Sequence, residues 1–298
     1  MTDAAVRTGG GSVALDIRPL GKALGAEVRG LDLSQPLTPA TWAAIRAAFL
    51  QYQMLAFRDQ ALTEPQQIAF SEHFGRLQVH VLNQYHREGN PAVIVLTNIG
   101  KDGKPIGEHP DPGAVIWHTD GSWSSERPLA TFLYGIEIPR TEGDTLFANM
   151  YAAYDGLAPE LRRRIEGLKA VHDLNWSRQQ TTAKKQMTEE QKRAAPPVEQ
   201  PMVRVHPETG RKAIYLGQHA SHIAGMPVEE GRALVRAINA HATKPEYVYR
   251  HRWLLHDFVM WDNRCVMHAA TDFDWINDRR VIQRTTVLGE RLPERTAA

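Results

Sequence analysis

The sequence predicts a mainly β protein with peripheral helices, folded as an antiparallel barrel or a jelly roll. Short segments rich in β-branched and aromatic residues lie on both sides of every predicted helix, and three of them, at 247–253, 258–261 and 281–287, fall in the last quarter of the chain. Strands and helices do not alternate regularly, which disfavours a doubly wound parallel sheet. The 298 residues, 42% of them hydrophobic, are enough to bury a large core.

Capping signals predict where the first helices begin. Residues 1–12 are small, polar and glycine-rich, and we expect them to form a disordered tail before a single domain at 13–298. Thr38 followed by Pro39 is typical of a helix start, and the sequence at 63–66 has the capping-box pattern. Amphipathic spacing predicts two further helices, which include residues 161–168 and 234–238.

Two polar segments interrupt the pattern of strands and helices. Residues 81–116 contain a loop rich in Gly, Pro, Asp and Lys, and residues 176–200 are polar, charged and close on Pro196-Pro197. A solvated surface excursion has this composition, and so does a mobile lid over a binding site. Both segments are therefore candidate lids.

Composition excludes several classes of function. The formal net charge is +1, so the chain has no overall electrostatic attraction that would favour nucleic acid or an anionic membrane as the main partner. The single cysteine, Cys265, rules out an internal disulfide and a cysteine-rich metal site. No apolar run approaches the ~18 residues of a membrane span, and residues 1–12 lack the apolar stretch of a secretory signal. We expect a cytoplasmic enzyme.

A candidate metal site begins with His118 and Asp120. In an extended strand the side chains of residues i and i+2 point to the same face, so this imidazole and this carboxylate could coordinate one metal ion. His268, which follows a strongly apolar strand, is the best candidate for a third ligand. Two imidazoles and one carboxylate suit non-haem Fe(II) and leave three coordination positions open.

Two arginines accompany this candidate site. Arg280 and Arg284 fall on one face of a predicted strand by its two-residue period. An inward-pointing arginine needs a buried anion, and its planar guanidinium suits a carboxylate. Two anionic ligands near one metal, or two structural salt bridges, would explain the pair equally well.

At these residues the chain resembles the TauD/TfdA family of Fe(II)- and 2-oxoglutarate-dependent dioxygenases. The resemblance runs from about Leu15 to Leu292 and is carried by four short motifs in order. The motifs are Trp117-His118-Thr119-Asp120, Gly143-Asp144-Thr145-Leu146, Trp261-Asp262-Asn263-Arg264 with His268, and Arg279-Arg280 through Arg284-Thr285-Thr286. The fold implied is the double-stranded β-helix, a cupin-like jelly roll.

The resemblance implies a role for each matching residue. His118, Asp120 and His268 would be the catalytic centre and bind iron, and Arg280 would bind the distal carboxylate of 2-oxoglutarate with help from Thr145. Arg279 is the alternative for that contact, because the step from His268 is one residue longer than expected. The remaining substrate-binding residues would be Arg284, for the anionic head of the primary substrate, and His80. Fe(II), 2-oxoglutarate and O₂ are the cofactors and co-substrates implied.

The implied reaction is hydroxylation of a small anionic substrate next to a heteroatom, with 2-oxoglutarate decarboxylated to succinate and CO₂. Asn83 and Ala220 replace aromatic pocket residues of the taurine enzyme and favour an aryloxyalkanoate-like or other carboxylate substrate. Leu174 is a second pocket residue that differs. Taurine or another alkyl sulfonate is the alternative substrate, and relatives imply a homodimer or homotetramer.

Two other classes of protein remain in competition. A zinc hydrolase would also use two histidines and an aspartate, with a metal-bound water. A non-catalytic barrel would bind a small acid through its arginines alone. The zinc enzyme has no use for Thr145, Arg280 and Arg284 together, and the binding module has no use for a metal triad.

Overall fold

The computed structural model describes residues 14–181 and 186–292, so the predicted tail at 1–12 lies outside the described residues. Its strands are β1 (Asp16–Pro19), β2 (Ala26–Arg29), β3 (Met54–Phe57), β4 (His86–Arg87), β5 (Asn90–Thr97), β6 (Glu126–Glu137), β7 (Thr145–Asn149), β8 (Lys169–His172), β9 (Val198–Pro201), β10 (Val203–Val205), β11 (Lys212–Ile214), β12 (Ala220–Ile223), β13 (Val248–His251), β14 (Phe258–Asp262), β15 (Val266–Ala270) and β16 (Val281–Arg291). Its helices are α1 (Pro39–Tyr52), α2 (Glu64–Glu72), α3 (Met150–Asp155), α4 (Pro159–Ile165), α5 (Leu174–Gln179), α6 (Glu189–Ala194) and α7 (Val228–Ala242), with 3₁₀ turns at Asn83–Tyr85 and Pro245–Tyr247.

The strands form one large sheet and three small ones. The large sheet has the order β1-β2-β3-β14-β6-β16-β5-β4, and every pair in it is antiparallel except β2 with β3. The small sheets are β13-β7-β15, β12-β8-β9 and the hairpin β10-β11. The mainly β prediction with peripheral helices is confirmed. The barrel alternative is wrong for the described residues, because the large sheet ends in the unpaired edges of β1 and β4.

The centre of the large sheet is buried on both faces. Along β14, Val259 and Trp261 contribute to an inner core that also takes Phe147 from β7. Phe258 and Met260 point the other way, into an outer core beneath helices α1 and α2. This alternation explains why β14 is a continuous apolar run rather than an alternating one.

The helix starts lie where the capping signals predict them. Thr38 accepts the backbone N–H of Thr41 at 3.1 Å, and α1 begins at Pro39. Gln66 accepts the N–H of Thr63 at 2.8 Å, which is one half of the capping box of α2. In the described part of the chain, no helix combines the length and the apolar character needed to cross a membrane.

Strand β16 has two different faces. Gln283 and Thr285 point to α2, where Gln283 Nε2 donates to Gln67 Oε1 at 3.0 Å and Thr285 Oγ1 lies 2.7 Å from Ser71 Oγ. The two-residue period therefore turns Ile282 and Arg284 toward the inner side. On that side, the segment carrying His118 pairs with β15.

Candidate active site

His118, Asp120 and His268 converge as the sequence predicts. The backbones of His118 and His268 exchange two hydrogen bonds, of 2.9 and 2.8 Å. Asp120 Oδ1 lies 3.8 Å from His118 Nε2, and Asp120 Oδ2 lies 3.9 Å from His268 Nε2. These separations exceed hydrogen-bond length and can be spanned by two metal–ligand bonds of about 2.1 Å each. All three side chains are buried.

Each of the two histidines can bind a metal through an unprotonated ring nitrogen. His118 Nδ1 lies 2.7 Å from the carbonyl oxygen of Ile116, which can only accept, so Nδ1 carries the proton and Nε2 is left free. Burial, followed by the neighbouring His118, lowers the pKa of His268 well below its usual value, so this ring is neutral. His268 Nδ1 is buried without a hydrogen-bond partner among the described residues.

Asp120 is held in its ionised form by its neighbours. Burial acts to raise the pKa of this carboxyl group, but Arg284 and the two histidines outweigh it and the pKa is lowered. Thr131 donates to Asp120 Oδ2 at 2.6 Å, and Asn263 Nδ2 donates to Thr131 at 2.9 Å. Trp261 Nε1 in turn donates to Asn263 at 3.0 Å. The Trp-Asp-Asn motif of β14 thus orients a carboxylate on a different segment.

A first cavity, of about 500 Å³, contains Arg280, Thr145 and the three converging residues. Arg280 is 5% exposed, and among the described residues no carboxylate forms an ion pair with its guanidinium. Burial lowers the pKa of Arg280 to about 10, against the opposing charge of Asp111. The Thr145 oxygen accepts a 3.0 Å hydrogen bond from Trp253 Nε1, so its own proton is left to donate into the cavity.

Arg279, the alternative to Arg280, does not reach this cavity. Its Nε and Nη2 atoms lie 2.5 and 2.9 Å from the Glu137 carboxylate, on the surface. Neighbouring positions thus hold a solvent-exposed ion pair, at Arg279, and a buried cation without an ion pair among the described residues, at Arg280. The structure therefore brings Arg280, and not Arg279, to the candidate site.

A second cavity, of about 640 Å³, adjoins the first at His118, Asp120 and Arg284. Arg284 lines both cavities, with Nη2 3.3 Å from Asp120 Oδ1 and Nε 3.1 Å from Thr286 Oγ1. Of the two cavities, His80 lines only the second, and its contact with the substrate stays a prediction. Its Nδ1 accepts the Leu82 N–H at 3.0 Å, and burial, with the Arg284 charge, lowers its pKa to about 3. His80 is therefore neutral, with its proton on Nε2.

Sequence reasoning missed most of the wall of the second cavity. Arg178 on α5 is 8% exposed and lines it, as do Tyr85 and His219. Neither Asn83 nor Ala220, from which a substrate preference was predicted, lines either cavity, whereas Leu174 does. Asn83 instead accepts a hydrogen bond from Gln191, because its 3₁₀ turn points outward. The polar composition of the two candidate lids was the signal for Tyr85 and Arg178, whereas His219 lies outside both segments.

The candidate lid segments do contribute to the cavities. Residues 81–116 supply Leu82, Tyr85 and Asp111 to the second cavity, and residues 176–200 supply Ser177 and Arg178. Positions 182–185 of the second segment lie outside the described residues. A lid motion stays a prediction.

A second buried cluster has donors suited to a metal, in His206, Asp262 and Cys265. Asp262 is already paired with the guanidinium of Arg264 at 2.8 and 2.7 Å. His206 Nδ1 accepts the Glu208 N–H at 3.3 Å, so the proton is on Nε2, 3.1 Å from Asp262. A cation has no lone pair of His206 to bind and would face Arg264, so this cluster holds the β14–β15 turn instead.

Known proteins are similar to this chain in sequence and in fold. The chain is 38% identical to an alpha-ketoglutarate-dependent 2,4-dichlorophenoxyacetate dioxygenase of Burkholderia sp. (strain RASC), over 89% of this chain and 91% of that protein. It is 33% identical to an (S)-phenoxypropionate/alpha-ketoglutarate-dioxygenase of Sphingobium herbicidovorans, over 96% and 99% of the two chains. A crystal structure of AAD-2 in complex with Mn(II) and N-oxalylglycine superposes with a TM-score of 0.87 at 38% identity, covering 94% of this chain and 99% of that one. The family model for taurine catabolism dioxygenase TauD, TfdA family, matches residues 16–286, so the chain belongs to the TauD/TfdA family.

Proposed function

We propose that this protein is an Fe(II)- and 2-oxoglutarate-dependent dioxygenase, an oxidoreductase, whose substrate is an aryloxyalkanoate or a related small carboxylate. The observation that carries the proposal is Arg280, a buried cation with no carboxylate partner among the described residues, in one cavity with the His-Asp-His triad. An unpaired buried charge is costly, so an anionic ligand is expected beside it.

The donors of the triad fit Fe(II). His118 and His268 would supply neutral nitrogens and Asp120 an ionised oxygen, all within 4.8 Å of one another. The unpartnered Nδ1 of His268 does not impair this, because the metal would be held through Nε2. Bound iron would supply the activation of O₂, coupled to decarboxylation of 2-oxoglutarate to succinate and CO₂.

The first cavity suits 2-oxoglutarate. The Arg280 guanidinium and the Thr145 hydroxyl would bind the distal carboxylate, leaving the 2-oxo acid end directed at the triad. Leu133 and Trp261 provide apolar walls for the carbon chain between the two ends. We refer to this space as the co-substrate cavity.

The second cavity suits an anionic organic substrate. Arg284 would bind the carboxylate, and the Nε2–H of His80 would donate to it. Apolar and aromatic side chains, among them Leu174, Trp123 and Leu82, would pack against the remainder of the molecule. We refer to this space as the substrate cavity.

The proposed reaction consumes O₂ and 2-oxoglutarate and hydroxylates the carbon next to the ether oxygen of the substrate. The resulting hemiacetal breaks into a phenol and a 2-oxo acid, with succinate and CO₂ as the other products. Residues of the two adjoining cavities would hold the two organic molecules side by side at the triad, which supplies proximity.

We also infer the finer fold class. The large sheet, through β14, β6 and β16, and the small sheet β13-β7-β15 enclose the inner core between them, which supports a double-stranded β-helix, the cupin-like jelly roll. Strands β3, β6 and β14 contribute to both cores, which supports a single domain. A cytoplasmic location and a homodimer or homotetramer remain predictions.

The other two classes of protein fit the geometry less well. A zinc hydrolase does not need the buried Arg280 and Thr145 on one side of its metal, and an acid-binding module does not need three converging metal ligands. A sulfonate substrate such as taurine would also bind a guanidinium. The titration that follows therefore compares aryloxy acids with taurine.

An anaerobic titration tests this function. Metal-free protein receives Fe(II) and then 2-oxoglutarate, and a visible charge-transfer band should appear. 2,4-Dichlorophenoxyacetate, 2-phenoxypropionate and taurine are then added separately, and we expect the two aryloxy acids to change the band. Succinate and phenol should form in equal amounts when air is admitted. Metal binding without any band would contradict the proposal and favour a zinc hydrolase.

A further inference from the structure

His109 is a side chain of the co-substrate cavity that no motif assigns. It lies in the loop between β5 and β6 and lines the same cavity as Arg280 and Thr145. Its ring centroid is 5.6 Å from that of Phe273, and Arg280 Cζ is 5.9 Å from the same Phe273 ring. His109 and Arg280 thus approach one aromatic ring from a loop and from the end of a strand.

The protonation of His109 is set by its own loop. Nδ1 accepts the backbone N–H of Asp111 at 3.1 Å. Burial, followed by the charge of Arg280, lowers the pKa of His109, so the ring is neutral and its single proton is on Nε2. The ring is partly buried, and among the described residues its one hydrogen bond is that accepted by Nδ1, so the Nε2–H is left to donate to a ligand.

Resting on the proposed function, we propose that His109 Nε2–H is a third donor to the distal carboxylate of 2-oxoglutarate, together with Arg280 and Thr145. A carboxylate accepts about four hydrogen bonds, so a guanidinium and one hydroxyl leave room for another donor. The role is recognition and positioning. Unlike the other two donors, His109 comes from residues 81–116, so the bound co-substrate would fasten that loop to the strands.

The test compares two ligands that differ only at the distal end. 2-Oxopentanoate has the chain of 2-oxoglutarate with a methyl group in place of the distal carboxylate. Binding of each ligand to the Mn(II)-loaded protein is measured by calorimetry without O₂. His109→Ala should lower the affinity for 2-oxoglutarate roughly ten-fold, which is typical of losing a hydrogen bond to a charged group. The affinity for 2-oxopentanoate should not change.

Three further variants sharpen the result. Arg280→Ala should show the same selective loss on a larger scale, and His109→Gln, which retains an N–H donor, should recover part of the affinity. Lys101→Ala alters an exposed residue of the same loop and should leave both affinities unchanged. Thermal unfolding without ligand checks that each variant folds.

The outcomes separate this inference from the proposed function. If the wild-type protein does not bind 2-oxoglutarate, the proposed function fails. If the wild type binds it and His109→Ala binds it equally well, only the His109 contact is wrong. An equal loss of affinity for both ligands would also contradict the proposed contact. His109 would then affect the 2-oxo acid end, which both ligands share, or the fold.

Discussion

The two cavities that meet at the triad differ in the elements that form their walls. Strands supply half of the residues that line the co-substrate cavity, among them Leu96 of β5, Leu133 of β6, Thr145 of β7, Trp261 of β14 and Ala270 of β15. The loop that carries His109 supplies much of the rest. The substrate cavity is lined largely from α5 and irregular segments, by Leu82, Tyr85, Gly113, Leu174, Ser177, Arg178 and Thr181. His118, Asp120 and Arg284 line both cavities, and His268 lines the co-substrate cavity.

This difference separates the constant part of the reaction from the variable part. Strands tied into a sheet position side chains precisely, whereas loops and short helices tolerate substitution and carry specificity. We therefore expect strand residues, together with Arg280 and His109, to determine binding of 2-oxoglutarate. Residues of α5 and of the 3₁₀ turn at Asn83–Tyr85 should determine which acid is oxidised. Substitutions that change the binding of one ligand alone would support this division. Substitutions that change the binding of both ligands would contradict it.

The largest effect is expected where the cavities coincide. His118→Ala removes a metal ligand and should reduce succinate production to background with every substrate, while the fold persists. Metal content and succinate yield are the measurements, with His73→Ala, an exposed histidine outside both cavities, as the matched control. Full succinate production by His118→Ala would contradict the assignment of His118 as a metal ligand.

Arg280→Ala should affect the co-substrate cavity alone. Loss of a bidentate contact to a carboxylate corresponds to about 3 kcal/mol, or roughly a 100-fold weaker binding of 2-oxoglutarate. Removing a buried cation that has no ion pair should not destabilise the fold in the absence of ligand. Calorimetry with 2-oxoglutarate and a thermal unfolding curve check both expectations. Arg279→Ala, which breaks only a surface ion pair, is the control.

Arg284→Ala should weaken binding of the primary substrate far more than binding of 2-oxoglutarate. We expect an increase of ten-fold or more in substrate KM, the cost of a charge-assisted contact. Because Arg284 also lies 3.3 Å from Asp120, the metal content of the variant must be measured alongside. Equal weakening of both ligands at full metal content would contradict the division between the two arginines.

Arg178→Met should have the smallest effect, confined to the substrate cavity. Methionine retains much of the volume of the side chain but removes its charge beside Tyr85. We expect a several-fold change in substrate KM and altered preference among aryloxy acids, with the affinity for 2-oxoglutarate unchanged. A change in 2-oxoglutarate affinity of similar size would show that the α5 wall serves both cavities.

Local periodicity explains which parts of the site were predictable. His118 and Asp120 share a face because they are two residues apart, and Arg280 and Arg284 line the same cavity at a spacing of four, which is twice the strand period. Residues that act through contacts distant in sequence were not predictable. Asn263 supports Asp120 through Thr131, 132 residues away from Asn263 in the chain. No spacing rule relates such residues.

The fold class, the helix starts and the ligand types could be predicted from local patterns, because capping, alternation and donor chemistry act over a few neighbouring residues. The choice between Arg279 and Arg280 required the folded structure, since burial depends on what packs above each side chain. The folded structure also decided that Ala220 and Asn83 stay out of the cavities and that Arg178 and His109 line them. Cavity walls are assembled from segments far apart in the chain, and their composition is a property of packing rather than of any local pattern.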